Sequence, residues 1–183
     1  MKQMKVLNVF LLVLSTHMCM AQKYVGKNGS ISFFSETPVE NIEAKSTETS
    51  SAFDAKTGDL IVQIPIKSFR FEKSLMQEHF NENYMESDKF PKATLKGNIF
   101  EAEKIDYKKD ASYKVVARGK LTIHGVTKDI TVPGTLKVSN GKVSIDAKFN
   151  VRCADYDIKI PKLVMVKIAE EIQVTVSSTL SPI

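Results

Sequence analysis

Residues 113–151 read YKVVARGKLTIHGVTKDITVPGTLKVSNGKVSIDAKFNV. Tyr113, Val115, Ala117, Gly119, Leu121 and Ile123 fall on every second position, as do Ile130, Val132, Gly134, Leu136 and Val138, and then Val143, Ile145, Ala147, Phe149 and Val151. Successive side chains of a strand point to opposite faces, so this spacing describes three strands with one dry and one wet face each. Ser139-Asn140-Gly141 separates the second series from the third, and Asn-Gly suits the positive φ values of a tight hairpin turn. Successive strands joined by short turns make the fold class mainly β.

Working outward, the same period recurs. Upstream, Ala93, Leu95, Gly97 and Ile99 share a face, and Leu60, Val62, Ile64 and Ile66 form a series after the Thr57-Gly58 turn. Residues 30–34 and 42–50 read as two further strands around a turn containing Pro38. Downstream, Ile172, Val174, Val176 and Ser178 lead to Leu180. Lys108-Lys109-Asp110 reads as a hairpin tip. About eight strands with short connections imply an antiparallel barrel or sandwich.

One stretch departs from the period of two. In SLMQEHFNENYMESDKFPKATLKG, residues 74–97, Leu75, Met76, His79, Phe80, Asn83 and Tyr84 recur at three- and four-residue spacing, the period of a helix. Glu86-Ser87-Asp88 weakens the pattern and Pro91 stops it. This places one short helix at about 73–87, with Leu75, Met76 and Phe80 facing inward and His79 nearer the rim. Such a helix caps the core and can border a ligand cavity. Small residues on the dry faces, Ala93, Gly97, Ala117, Gly119, Gly134 and Ala147, have two readings. They leave interior volume for one small ligand, or they mark the bends that close a barrel.

The N-terminus has a separate logic. Lys2 and Lys5 precede the apolar run VLNVFLLVL at 6–14, and Ala21 ends a less apolar tail. This is the layout of a secretory signal peptide over residues 1–21, too short to span a bilayer. Residues 22–183 then form one ordinary domain, large enough to bury its own core. That domain keeps one cysteine, Cys153, so it contains no internal disulfide. Without Lys2 and Lys5 the formal charge of +5 falls to about +3, and its lysines are scattered. Nucleic-acid binding needs a concentrated basic stripe and is excluded. No second apolar run reaches membrane-spanning length, which excludes stable membrane insertion. A homodimer is compatible with the sequence.

Catalytic chemistry has little to work with. His79 lies on the helix as a mouth-lining or solvent-facing residue, and His124 before Gly125 reads as a turn histidine donating to backbone carbonyls. Cys153 continues the apolar alternation and reads as a small core residue. Asp155 and Asp157 flank Tyr156 on an exposed segment. Neither a close-spaced metal set, a phosphate-cradling glycine loop nor a nucleophile elbow is present. The expectation is a non-enzyme with no catalytic residues, no metal and no cofactor.

Three stretches resemble the YceI-like family: HFNENYMESDKFPKATLKG at 79–97, GKLTIHGVTKDITVPG at 119–134 and DYDIKIP at 155–161. SSAFDAKTGDL at 50–60 keeps Phe53 and Gly58 of the family's early strand, and Arg152 is followed by Cys-Ala-Asp-Tyr-Asp. The resemblance implies a lipocalin-like, eight-stranded antiparallel barrel that holds a polyisoprenoid, such as a quinone tail. The expected wall is Phe33, Val62, Ile64, Phe69, Leu75, Met76, Phe80, Leu95, Ile99, Val115, Ala117, Leu121, Ile145 and Phe149. His79, Asn83, Tyr84 and Arg152 are the candidates to orient a head group at the mouth.

The resulting expectation is a periplasmic or secreted protein that sequesters or carries a polyisoprenoid or other long-chain lipid without chemistry. Its first alternative is a structural or interaction module of the cell envelope with a side-chain-filled barrel. Its second is a small hydrolase or isomerase using His79 or His124.

Overall fold

Eight long strands build the wall: β1 (Lys23–Glu36), β2 (Asn41–Asp54), β3 (Asp59–Pro65), β5 (Lys92–Ile99), β6 (Ala111–Ile123), β7 (Val126–Ser139), β8 (Lys142–Arg152) and β9 (Glu171–Pro182). Between β3 and β5 lie the two-residue β4 (Arg70–Phe71), which pairs with Ala44 and Lys45 of β2, and the helix α1 (Ser74–His79). The long strands hydrogen-bond in the order β1–β9–β8–β7–β6–β5–β3–β2, every neighbouring pair antiparallel, and β2 pairs again with β1 to close the barrel. The structure, a computed structural model, describes residues 23–161 and 166–183. The expected signal peptide at 1–21 lies outside the described residues.

The alternation read from the sequence is the wall of this barrel. Val143 pairs with Val138, Ile145 with Leu136 and Ala147 with Gly134 across β7 and β8, so each dry series meets the next on one inner face. Asn140-Gly141 turns β7 into β8, and His124-Gly125 turns β6 into β7. All four residues have positive φ, between 51° and 76°. That is the two-residue turn whose twist matches antiparallel strands.

Both readings of the small residues hold, at different positions. Gly97 faces Gly119 across β5 and β6. A Cβ on Gly119 would lie 2.2 Å from the Lys96 carbonyl oxygen, so this pair permits a close strand crossing. Ala93, Ala117, Gly134 and Ala147 line open interior volume.

One end of the barrel is packed shut. Tyr24, Phe53, Leu60, Ile99, Leu136, Val138, Val143 and Leu180 form a buried cluster there. The β5–β6 connection, which carries the Lys108-Lys109-Asp110 turn, folds back beneath it. Ala102 and Tyr107 enter the same cluster, and the Tyr107 hydroxyl donates to the Ala102 carbonyl at 3.0 Å. The rings of Tyr24, Phe53 and Tyr107 touch one another with centroids 6.0–6.3 Å apart. Burial pushes the Tyr107 phenol well above its ordinary pKa.

The β2 wall departs from simple alternation. Ser46, Thr49 and Ser51 are buried, and a buried hydroxyl is costly unless it is paired. Two of the three find hydroxyl partners: Ser51 pairs with Ser178 at 3.0 Å and Ser46 with Ser68 at 2.6 Å. Register shifts in β1 between Gly26 and Ile31 fall opposite these three residues, where the regular pairing of β1 with β2 is interrupted.

Candidate functional site

Above the packed floor the barrel holds a cavity of about 370 Å³, within the ~300–1,000 Å³ of small-molecule sites. Its wall repeats the dry faces of the strands. Phe33 comes from β1, Val62 and Ile64 from β3, Leu95 and Ile99 from β5, and Val115, Ala117 and Leu121 from β6. Ile145 and Phe149 come from β8, and Phe69 from the turn after β3. The structure brings all of these sequence-designated residues onto one cavity wall. It adds Ile172, Val174 and Val176 of β9, whose alternation is equally plain in the sequence.

Among the described residues the mouth is built by three segments at the opposite end from the floor: the β1–β2 turn, residues 66–91, and the parts 153–161 and 166–170 of the β8–β9 connection. The second leaves β3 and returns into β5, and its base is tied where the Ile66 N–H donates to the Pro91 carbonyl at 2.9 Å. Its helix lacks a side-chain N-cap and buries no residue completely, so contacts rather than propensity hold it. Phe80 stacks on Phe33 at 5.4 Å between centroids and meets Phe69 at 5.7 Å and Phe71 at 5.0 Å. Such pairs contribute ~0.5–1.5 kcal/mol each beyond area burial. Lys73 at the helix start pairs with Glu40 of the β1–β2 turn at 3.0 Å.

The helix is not one uniform turn. After His79 the chain widens into a π turn over Phe80–Tyr84, closed by the Met85 N–H donating to the Phe80 carbonyl at 2.9 Å. This corrects the expected place of Asn83 among the head-group candidates at the mouth. A π turn joins residue i to i+5, so Tyr84 and Met85 return to the side of Phe80 and line the cavity. Asn83, third in sequence after Phe80, points to solvent. Leu75 is likewise not inward but 59% exposed, because Met76 beside it takes the cavity-facing position a helical step away. Met76, His79, Phe80 and Tyr84 do line the cavity, with His79 exposed at its rim. Arg152 is the third correction. It follows inward-facing Val151, so strand alternation sends it outside, where its guanidinium lies 4.0 Å from the Glu170 carboxylate.

Polar groups reach the cavity mainly at the mouth, from Ser35, Glu40, His79, Tyr84 and Lys167. Burial raises the Tyr84 phenol pKa. Glu40 and Lys167 escape a reading of the sequence, because each stands in a turn or irregular segment with no period to place it. Cys153, a buried thiol on the wall, has its pKa pushed up to about 11 by burial. Asp155 and Asp157 are exposed. Among the described residues no group of three His, Cys, Asp or Glu side chains converges as a metal site, and no helix is long and apolar enough to cross a membrane.

A closed, eight-stranded antiparallel barrel with an apolar cavity above a packed floor belongs to the lipocalin-like barrels as a class, whose interior is wide enough for side chains or for one small ligand. The profile of the YceI-like domain matches residues 13–180, and the chain belongs to that family. Solved structures agree on the fold. A polyisoprenoid binding domain from Saccharophagus degradans, implicated in plant cell wall breakdown, superposes with a TM-score of 0.77 at 14% identity, covering 89% of this chain and 99% of that one. Burkholderia cenocepacia BcnA gives 0.69 at 19% identity, over 82% of this chain and 95% of its own. The YCEI protein of Campylobacter jejuni gives 0.60 at 20% identity, over 81% and 88%. No curated protein matches the sequence.

Proposed function

We propose that this protein is an exported lipid carrier that sequesters a polyisoprenoid or another long-chain amphiphile in its barrel, without chemistry. The observation that carries the reading is the 370 Å³ cavity, walled by aliphatic and aromatic side chains and supplied with polar groups mainly at one end. A chain of hydrocarbon with a polar head fits that distribution. Burial is worth ~0.8 kcal/mol per CH₂, so ten carbons contribute ~8 kcal/mol before other costs. Immobilising a partner costs ~4–15 kcal/mol. Retention therefore favours a long chain over a short one. The Saccharophagus degradans protein that shares this barrel is a polyisoprenoid binding domain, which supports the same ligand class.

Glu40, His79, Tyr84 and Lys167 are the groups we assign to the head. The signal-peptide layout of residues 1–21 supports export to the periplasm or beyond, and N-terminal sequencing of the mature protein should begin at Gln22. A side-chain-filled barrel describes the floor half only, which sets that alternative behind the carrier.

Native mass spectrometry of protein purified from its own host tests the reading, and a co-purifying long-chain lipid is the expected result. Titration with all-trans retinol, a neutral fluorescent isoprenoid, supplies a second arm. Ala147→Leu, which adds bulk to the wall, should weaken retinol binding by at least about tenfold while leaving thermal stability nearly unchanged. Protein that carries no lipid and ignores retinol and longer prenols would end the proposal.

A further inference from the structure

The three stretches that stand out in the sequence meet at one point of the mouth, and His124 is at its centre. Its ring packs edge-on against Phe90 with centroids 4.6 Å apart. Its Nδ1 lies 3.1 Å from the Tyr156 carbonyl oxygen, and its Nε2 lies 3.6 Å from Oε1 of Glu86. The side chain is only 10% exposed. Gly125, the next residue, lets Phe90 approach: a Cβ there would stand 2.5 Å from that ring. Phe90 and Glu86 belong to the segment that carries Tyr84 and Met85 to the cavity. Tyr156 belongs to the segment that carries Cys153 and Ile158 to it.

The hydrogen-bonding logic is asymmetric. A carbonyl oxygen only accepts, so Nδ1 carries the proton that reaches Tyr156. In the neutral ring Nε2 is then a bare lone pair. It is buried without a hydrogen-bond partner, and the nearest anion is the Glu86 carboxylate. One added proton reverses this, making Nε2 a donor aimed at that carboxylate while the Tyr156 bond stays intact. The other groups around the ring modulate the effect. Lys89 pairs with the second oxygen of Glu86 at 3.4 Å and lies over the Phe90 ring at 4.8 Å, so it competes for the same carboxylate. Asp155 adjoins Tyr156 in sequence. On the turn's own strands, Thr122 and Thr127 bond each other, and Lys120 is paired to Asp129.

We propose that His124 is a positioning residue that pins the two mouth segments together, more firmly when protonated, and so sets how fast the cavity releases its occupant. The release readout rests on the carrier reading; the pin itself does not.

The test is transfer of all-trans retinol from the protein to phosphatidylcholine vesicles at about pH 5.5 and about pH 8, on either side of the histidine range. Wild-type protein should release roughly three- to tenfold more slowly at the lower pH, the scale of gaining one partly solvated charge-assisted bond. His124→Asn keeps a residue that tolerates positive φ and can donate to Tyr156, but it has no titrating group; it should release quickly at both pH values. Glu86→Gln, which can donate to the Nε2 lone pair, should flatten the profile from the slow side. A flat wild-type profile, or an unchanged one in His124→Asn, overturns the pin. If retinol does not bind at all, the carrier reading fails and hydrogen exchange of ligand-free protein judges the pin. Residues 84–91 and 153–158 should then gain protection at the lower pH in wild type but not in His124→Asn, and equal protection at both pH values in the wild type overturns it.

Discussion

At the floor of the barrel Tyr24, Phe53, Ile99, Leu136, Val138, Val143 and Leu180 are each no more than 2% exposed. At the mouth Phe33, Phe71, Met76 and Phe80 touch one another or the cavity yet all keep contact with solvent. The same residue types serve both ends, and the same strands run between them. The difference is in what completes the packing. The floor is filled by its own side chains, including Ala102 and Tyr107 from the folded-back connection. The mouth leaves its apolar side chains half-satisfied around open volume. Local stability follows such density of buried contacts. The floor therefore carries the fold, and on the carrier proposal the mouth is the end that would serve exchange with the outside.

The largest expected effect sits at the floor. Leu136 is completely buried, and Leu136→Ala should cost ~2–5 kcal/mol in denaturant unfolding. Retinol release from the molecules that remain folded should change little. A loss below ~1 kcal/mol would mean that the floor is not the denser end. Next comes Gly125→Ala, at a positive φ of 76° with the Phe90 ring 2.5 Å from the added carbon. Backbone strain of this kind costs ~1–3 kcal/mol, and both stability and mouth closure should suffer. A variant with unchanged unfolding and unchanged release would show that Phe90 does not pack where the contact requires.

The contrast between the ends also governs what can be read from the sequence. The fold and most of the cavity wall are legible because β3, β5, β6 and β8 alternate regularly, and alternation names an inner face without further knowledge. Three kinds of residue escape it. Lys23–Gly29, the first half of β1, carries no clear strand signal, because a bulged, glycine-containing segment breaks the period. Ser46, Thr49 and Ser51 look solvent-facing until Ser68 and Ser178 are seen opposite two of them. At the mouth, helical spacing does not decide between Leu75 and its neighbour Met76 for the inner position, and it leaves Asn83 a head-group candidate because the switch to a π turn after His79 has no periodic signature. Arg152 has a simpler reason: the alternation, followed one residue beyond Val151, already sends it outward and away from any head group.

A smaller effect is expected where the ends differ most. Phe80 makes three ring contacts but is only half-buried. Phe80→Ala should therefore cost ~1–2 kcal/mol, less than the ~3–5 kcal/mol of a fully buried phenylalanine. Its main consequence should be faster retinol release. Equal or larger destabilisation than Leu136→Ala, with release unchanged, would reverse the assignment of the two ends.

The smallest effect on stability, and the finest measure of the mouth, comes from Cys153. Its thiol lines the cavity beside the segment that His124 contacts, and burial pushes its pKa up to about 11. A raised pKa favours the protonated form in the folded state. The associated stability is complete below the unfolded thiol range, about 8.5, and is lost as pH climbs toward the folded value. Only the thiolate reacts with a disulfide reagent. At about pH 8, folded protein should thus react with dithiobisnitrobenzoate at least ~100-fold more slowly than a free cysteine. Reaction through mouth opening should slow further when retinol is bound and quicken in Phe80→Ala. The floor variant Leu136→Ala should label faster only in proportion to its unfolded fraction, so denaturant dependence separates the two routes. Rapid labelling of native wild-type protein, unaffected by retinol, would place Cys153 in contact with solvent and remove the distinction between a closed mouth and an open one.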